Sequence, residues 1–397
     1  MPKKKILYIS GSLGLGHVTR DVAVARELRK LIPDVKLSWL ASNPASLVLK
    51  DAGEKLLSES DLYANDNIPA ENVSEDFGLN LMKYMFNARK EWANNVKIFR
   101  KVMNKESFDL VIGDETYEIV IALLNKSLII KPTFVMIYDF FGTDTTTKSP
   151  FERLVAEISI RKFLKVVPEN VVTNFFMGEE ENILDKKLGF FLPNRREWVK
   201  KAQFKFLGYI IPFDPAEYTD KAKNRAKLGY GKEPLVVCSI GGTKVGKVLL
   251  ELCGQAYPII REEIPDLRMV LVCGPRLPAD SLKVPQGIEV KGYVPALHEH
   301  FAASDLAIVN CGGTSTLELT ALRRPFLYFP LEGHYEQEIH MAGRLARHRA
   351  GVKMTYSKTT PKSLAKVVIS NIGKEVNYAI IPTDGAQKAA QLINQLL

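Results

Sequence analysis

KILYISGSLGLGHVTRDVAVARELRKL occupies residues 5–31. Ile6 to Ile9 reads as a short buried strand. His17 to Leu31 carries apolar residues at helical spacing, and glycines fill the turn between them. A strand, a glycine turn and a helix in that order open a nucleotide-binding α/β domain. The dinucleotide fingerprint is G-x-G-x-x-G, whereas Gly11, Gly14 and Gly16 are spaced otherwise and end on a histidine. An imidazole at the mouth of such a turn calls for a chemical reason.

The same grammar recurs along the chain. Strand-like runs are KILYIS, VKLSWLA (35–41), FDLVIGD (108–114) and PTFVMIYD (132–139). After a break come PLVVCSI (234–240), RMVLVCG (268–274), GIEVKGY (287–293), DLAIVNC (305–311) and PFLYFP (325–330). Helix-length stretches separate most of them, which predicts parallel sheets covered by helices on both faces. GYIIPFDPAEYTD (208–220) has two prolines and little helical periodicity, and beyond it the pattern restarts. The expected division is therefore an N-terminal Rossmann-like domain over 1–207, a linker over 208–220 and a second such domain over 221–382. A terminal helix over 383–397 is expected to pack back on the first domain.

Composition sets outer bounds. The 397 residues suffice for two or three domains with real cores. No apolar run approaches the ~18–20 residues of a membrane-spanning helix. MPKKK leads straight into a strand, unlike a signal peptide, and the four cysteines form no C-x-x-C pair, which suits a reducing cytoplasm. A net charge of +9 points to anionic partners such as phosphorylated substrates, without choosing among them.

In an open parallel sheet, ligands bind beyond the carboxyl ends of the strands, so the glycine turns there are where chemistry is sought. Three follow strands: SGSLGLGH, SIGGTKVGK and NCGGTSTLE. Glycine lets the backbone approach a phosphate, and the N–H groups at the start of the next helix attract it. In the third turn Thr314 and Glu318 sit four apart, on one helix face. A pyrophosphate at Gly313–Ser315 leaves the Glu318 carboxylate one turn deeper, where ribose hydroxyls can donate to it. GGTKVGKV (241–248) has most of a P-loop, but Val248 stands where a magnesium-binding hydroxyl is required, which argues against an ATPase or kinase. HEH (298–300) suggests a metal pair only at first sight; with no third ligand it is expected to be a solvated surface.

Residues 292–352, GYVPALHEHFAASDLAIVNCGGTSTLELTALRRPFLYFPLEGHYEQEIHMAGRLARHRAGV, resemble the donor-binding region of GT-B glycosyltransferases. The likeness is to the family 28 type, which includes the bacterial lipid-linked peptidoglycan N-acetylglucosaminyltransferases, and also to UDP-glucuronosyl-type enzymes. GSLGLGHVTR is similar to the N-terminal G-x-G-H element of that family, and SIGGT to its second-domain glycine loop. The resemblance implies two Rossmann-like parallel-sheet domains facing across a cleft. It gives Gly241, Gly242 and Thr243 a donor-phosphate role and sets Tyr293 and Val294 beside the base, expected to be uracil. It puts Gly312, Gly313, Thr314 and Ser315 at the diphosphate and Glu318 at the ribose. Gln337 matches the residue holding the sugar hydroxyls, with His334 beside it. Glu338 stands where the peptidoglycan enzymes have a second glutamine, which leaves the sugar open. Arg276 in CGPR is placed toward the nucleotide.

Inverting transfer needs a base for the acceptor hydroxyl and a cradle for the departing diphosphate. His17 is the expected base, the helix dipole favouring its neutral form. Asp139 and Asp114 end their strands and are expected to orient His17 or hold the acceptor, beside Gly14 and Gly16. No D-x-D triplet is present, so neither a metal nor a cofactor is expected beyond the UDP-sugar as co-substrate. LNLMKYMFNARKEWANNVKIFRKVM (79–103) and FFLPNRREWVKKAQFKF (190–206) mix aromatic and basic residues. Packing on the sheet is the expected role, peripheral contact with the inner face of the membrane and a lipid-linked acceptor the other; no nucleic-acid partner is expected. A nucleotide-sugar hydrolase or epimerase is the alternative, since GLGHVTR also resembles hydrolases of pseudaminic acid synthesis. A non-catalytic binding subunit fits less well, because such subunits carry one half of the scaffold.

Overall fold

A computed structural model describes residues 3–11, 15–64, 89–142, 172–242 and 244–397, with isolated positions over 74–79 and 154–164. Two compact units divide the chain: Met1–Ala70 and Leu81–Pro212 together with Pro382–Leu397, and Phe213–Ile381 together with Glu71–Asn80.

In the first unit, strand β1 (Lys5–Ile9) is followed by helix α1 (Gly16–Leu31), β2 (Lys36–Leu40) and α2 (Ala45–Asp51). Then come α3 (Arg89–Lys105), β3 (Leu110–Asp114), α4 (Tyr117–Leu124), β4 (Thr133–Tyr138), β5 (Val172–Phe176), α5 (Arg195–Lys201) and β6 (Lys205–Phe206). The six strands are parallel in the order β2-β1-β3-β4-β5-β6. Beyond β2, Leu56 makes a single parallel bridge to Trp39, a vestige of one more strand. The chain leaves β1 toward β2 and returns to β3 on the other side, which makes the β1/β3 boundary a topological switch point. Register brings the strand ends level there: Ile9 pairs with Gly113 and Asp114 with Ile137.

The second unit holds α6 (Lys221–Leu228), β7 (Leu235–Ser239), α7 (Lys247–Glu263), β8 (Arg268–Val272), β9 (Glu289–Lys291) and α8 (Leu297–Ala303). It continues through β10 (Leu306–Asn310), α9 (Gly313–Ala321), β11 (Phe326–Phe329), α10 (Ala342–Arg347), β12 (Val352–Lys353) and α11 (Pro361–Asn371). Its parallel sheet runs β9-β8-β7-β10-β11-β12, so the switch point lies between β7 and β10. Alternate residues of each strand serve opposite cores. Val236, Cys238, Leu271, Ile308 and Phe329 pack with α7 and α11, while Val237, Val270, Ala307, Val309 and Phe326 pack with α8, α9 and α10. Burial on both faces explains why these strands read as unbroken apolar runs.

Two expectations change. The segment from 208 is not wholly a connector: Tyr209, Ile210 and Ile211 are buried, and Ile210 bridges Asp384 at the start of the C-terminal helix, Gly385–Leu396. That helix packs against α1. HEH is not a solvated surface either. His300 is buried with its Nδ1 2.6 Å from the Tyr230 hydroxyl, and His298 stacks on Phe213 with centroids 4.2 Å apart. Both imidazoles fill aromatic packing that the polar spelling concealed.

Candidate active site

Helix α1 begins at Gly16 with no side-chain cap. His17, Arg20 and Asp21 follow at three- and four-residue spacing, so they share one face. That face lies over the strand ends at the switch point. Arg20 is 1% exposed and grips Asp114 with two bonds: Nε donates to Oδ2 and Nη2 to Oδ1, each at 2.7 Å. Its Nη1 donates to Asp139 Oδ2 at 2.9 Å. Ring nitrogen Nδ1 of His17 lies 3.1 Å from Asp114 Oδ1 and 2.6 Å from Arg20 Nη2. Its other nitrogen, Nε2, is 3.6 Å from Glu115 Oε2. Glu115 holds a left-handed backbone (φ 51°), uncommon for a side-chain-bearing residue, and its Oε1 accepts the Asp139 N–H at 3.2 Å.

A buried guanidinium facing two carboxylates is a costly arrangement unless fully bonded, and removing one partner of such a pair destabilises by about 3–5 kcal/mol. Burial alone would raise the Asp114 carboxyl, but the charges of Arg20 and His17 outweigh it and hold it well below the ordinary carboxylate range. For His17, burial and Arg20 pull proton affinity down. Asp114, the hydrogen bond to it and Glu115 overcome both, so its pKa ends above the ordinary imidazole value. The helix-dipole expectation of a ring held neutral is thus reversed: a full charge at 3.1 Å outweighs a helix terminus's half charge. Asp21 behaves oppositely to Asp114. Burial and the neighbouring Asp114 push its carboxyl well up, and it accepts from Tyr8 Oη at 2.9 Å and Ser10 Oγ at 2.5 Å.

Of the expected residues here, His17 and Asp114 come together. Asp139 contacts Arg20, which in turn contacts the histidine. Gly16 is the first residue of α1, and Gly14 lies outside the described residues. Arg20 and Asp21 were missed, although two adjacent charges inside VTRDVAVA, an otherwise apolar helical run, were the available signal.

A second constellation lies at the β7/β10 switch point of the second unit. Gly241 follows β7 with φ 75°, and a Cβ on Gly274 would lie 2.2 Å from its carbonyl oxygen, so two glycine loops touch backbone to backbone. Asn310 Nδ2 donates to Ile240 O at 3.2 Å, tying the end of β10 to the same loop. Helix α9 starts after Gly312 with no side-chain cap, presenting the N–H groups of Gly313, Thr314 and Ser315. Arg344 Nη2 donates to Gly313 O at 3.0 Å and secures that end from α10. Glu318 lies one turn in, 6% exposed, with no side-chain hydrogen bond among the described residues, and burial pushes its carboxyl up to about 8.

After β11 the chain forms a π-helical turn, Glu336–Met341, an irregularity that concentrates at functional sites. Gln337 Oε1 accepts the Leu331 N–H at 3.0 Å, which leaves its amide N–H₂ available, and Glu338 Oε2 accepts the Gly333 N–H at 3.2 Å. Burial takes the His334 imidazole down to about 4, so it stays neutral near pH 7. Tyr293 and Val294 are half-buried on the loop between β9 and α8, and Arg276 follows the Gly274 turn after β8. Gly242 is buried in the β7 turn; Thr243 lies outside the described residues.

Comparison with known proteins places this architecture. Residues 236–396 match the glycosyltransferase family 28 C-terminal domain. An uncharacterized glycosyltransferase of Methanopyrus kandleri is 26% identical over 47% of this chain, a match that spans only 53% of that relative. One of Methanosarcina mazei is 23% identical over 95% of this chain and 92% of its own. The UDP-N-acetylglucosamine–N-acetylmuramyl-(pentapeptide) pyrophosphoryl-undecaprenol N-acetylglucosamine transferase of Chlorobaculum tepidum is 23% identical over 96% of this chain and 90% of its own. Among solved structures, the kitacinnamycin glycotransferase covers all of both chains at 14% identity with a TM-score of 0.63. SsfS6 of Streptomyces sp. SF2575, complexed with thymidine diphosphate, covers 99% of both at 15% identity with a TM-score of 0.58. Two six-stranded parallel sheets with helices on both faces give this chain the GT-B fold, and its C-terminal part resembles the family 28 domain.

Proposed function

We propose that the protein transfers a hexosyl or N-acetylhexosaminyl group from a UDP-sugar to an acceptor hydroxyl, with inversion and without a metal. The observation that carries this reading is Glu318, buried and lacking a side-chain partner one turn inside an uncapped helix. Backbone N–H groups suit a diphosphate, and a carboxylate at that depth accepts from a ribose diol. Gly241, Gly242 and Thr243 would flank the phosphates, Arg276 would face the nucleotide, and Tyr293 and Val294 would border the base. His334, Gln337 and Glu338 would line the sugar.

In the reaction, His17 Nε2 takes the acceptor hydroxyl proton while the acceptor oxygen bonds to the anomeric carbon. The bond from that carbon to the diphosphate oxygen breaks, and the electron pair leaves with the nucleoside diphosphate, stabilised by amides at the start of α9. Asp114 and Glu115 stabilise the imidazolium so formed. Titration calorimetry with UDP, dTDP and GDP tests the donor site. UDP is expected to bind at least tenfold more tightly than GDP, undiminished by EDTA; no binding of any nucleoside diphosphate would refute the assignment.

The peptidoglycan relatives are named for an acceptor on pyrophosphoryl-undecaprenol, and we propose a lipid-linked acceptor here, reached from the cytoplasmic face. Phe190 and Phe191 are 80% and 79% exposed and meet edge to face, with Lys186, Lys187 and Lys200 nearby in the chain and also exposed. Among the described residues no helix is long and apolar enough to cross a membrane, so contact would be peripheral. Co-sedimentation with anionic vesicles, lost in a Phe190→Ser/Phe191→Ser variant, is the expected result; equal binding by the variant would refute it.

A further inference from the structure

We propose that Arg20 is the positioning residue of the N-terminal site: it orients His17 through Asp114 and limits how tightly the ring holds a proton. The forked grip on Asp114 fixes the carboxylate whose Oδ1 meets Nδ1 of the ring, so a guanidinium three residues along the same helix sets the ring's partner in place. Arg20 also touches Nδ1 directly, at 2.6 Å. Asp114 can only accept and Arg20 can only donate, so they ask opposite things of that nitrogen. With a proton on Nδ1, the ring donates to Asp114 and keeps the Nε2 lone pair a base requires. With Nδ1 bare, it accepts from Arg20 and the proton sits on Nε2.

The groups facing the ring decide the balance. Asp114 and Glu115 come from the end of β3, Arg20 and Asp21, its carboxyl pushed toward the neutral form, from α1, and Asp139, beyond β4, bonds the guanidinium. Without Arg20 the carboxylates would face the ring unopposed. The imidazolium would be held more firmly, and a smaller share of the ring would be free to act as a base. Arg20 keeps Asp114 in place for orientation and tempers its pull, a combination that neither a neutral hydrogen-bond donor nor an empty space reproduces.

The assignment of purpose rests on His17 being the base, but its test does not. The test is the His17 ring titration followed by NMR in the full chain, using His17→Gln to assign the signal. Replacing Arg20 by Gln is expected to raise the His17 midpoint by about one to three pH units, the range for one neighbouring charge. Arg20→Lys is expected to stay within half a unit of the parent, because charge is kept, while kcat falls for want of the fork. If Arg20→Gln does not fold, Arg20→Gln/Asp139→Asn removes one charge of each sign. Its midpoint is still expected to rise, because the guanidinium touches the ring nitrogen itself, whereas Asp139 bonds the far side of the guanidinium through Nη1. A midpoint that stays or falls in the folded variants carrying Arg20→Gln overturns the proposal. If the midpoint moves as expected but His17→Gln retains turnover, Arg20 still governs the ring and it is the base assignment that fails.

Discussion

Replacing Glu318 by Gln tests the donor site through stability as well as binding. The carboxyl is held at about 8 by burial, against about 4.3 in an unfolded chain. The sign follows from linkage. A carboxyl whose folded pKa is raised gives up stability as pH climbs above the unfolded value, and the loss is complete once pH passes the folded value. At pH 7 the folded chain forgoes the ionisation open to the unfolded one, a cost of about 3–4 kcal/mol at 1.36 kcal/mol per unit. Glutamine matches the protonated acid in shape and has nothing to ionise. Melting curves of the two proteins should therefore coincide near pH 4 and separate steadily toward pH 8, with the variant more stable by roughly 10 °C in a unit of this size. Above pH 8, where the parent carboxyl is ionised, the same variant should bind UDP about ten- to a hundredfold more weakly, since a hydrogen bond to a charged acceptor is worth about 1.5–3 kcal/mol. Melting curves that stay parallel from pH 4 to pH 8 would refute the reasoning, because they would mean Glu318 is solvated or paired.

Asp114→Asn removes the charge that steadies the imidazolium while nearly keeping the shape, so steady-state kinetics should show kcat down about 10²–10⁴-fold with KM for the donor little changed; a loss confined to KM would contradict the assignment. Gly274→Ala forces a Cβ to 2.2 Å from the Gly241 carbonyl at a φ of 75°. It should cost at least about 1–2 kcal/mol in backbone strain alone. It should also displace the glycine loop and weaken nucleotide binding tenfold or more by calorimetry, and an unchanged affinity would place the phosphates elsewhere.

Much of the fold was legible because both sheets are parallel and buried. Most interior strands are spelled by three to five consecutive apolar residues, and most are punctuated by glycine or a strand-end acid. The strands that escaped notice are Val172–Phe176, interrupted by a polar Asn174 that bonds Tyr138 Oη, and the two-residue pieces Lys205–Phe206 and Val352–Lys353. Edge pieces that short carry no periodicity. The glycine turns of the second unit were legible for the same reason as the strands: a glycine pair after an apolar run marks a tight turn at a strand end. Arg20 was not, because a lone arginine in a helix ordinarily faces water, and only strand register, bringing Asp114 and Asp139 to the same sheet end, turns it inward.

That inward turn also reverses the first inference about His17. Near the end of α1 the backbone offers roughly half a positive charge, which favours a neutral ring. Asp114, Asp139 and Glu115 bring three potential negative charges against the single guanidinium of Arg20, while burial pushes Asp21 toward its neutral form. The surplus is negative, and the ring's proton affinity rises accordingly. A base raised in this way is stronger once deprotonated, but a smaller share of it is free near pH 7. Proton uptake from the acceptor then lessens the negative surplus of the site instead of adding to it, so imidazolium is favoured where the transition state forms it. The acid limb of kcat/KM should accordingly lie above the ordinary imidazole value of about 6.5, with activity climbing as pH rises through it. A rate already level at pH 6 would mean that the ring doing the work does not feel these carboxylates.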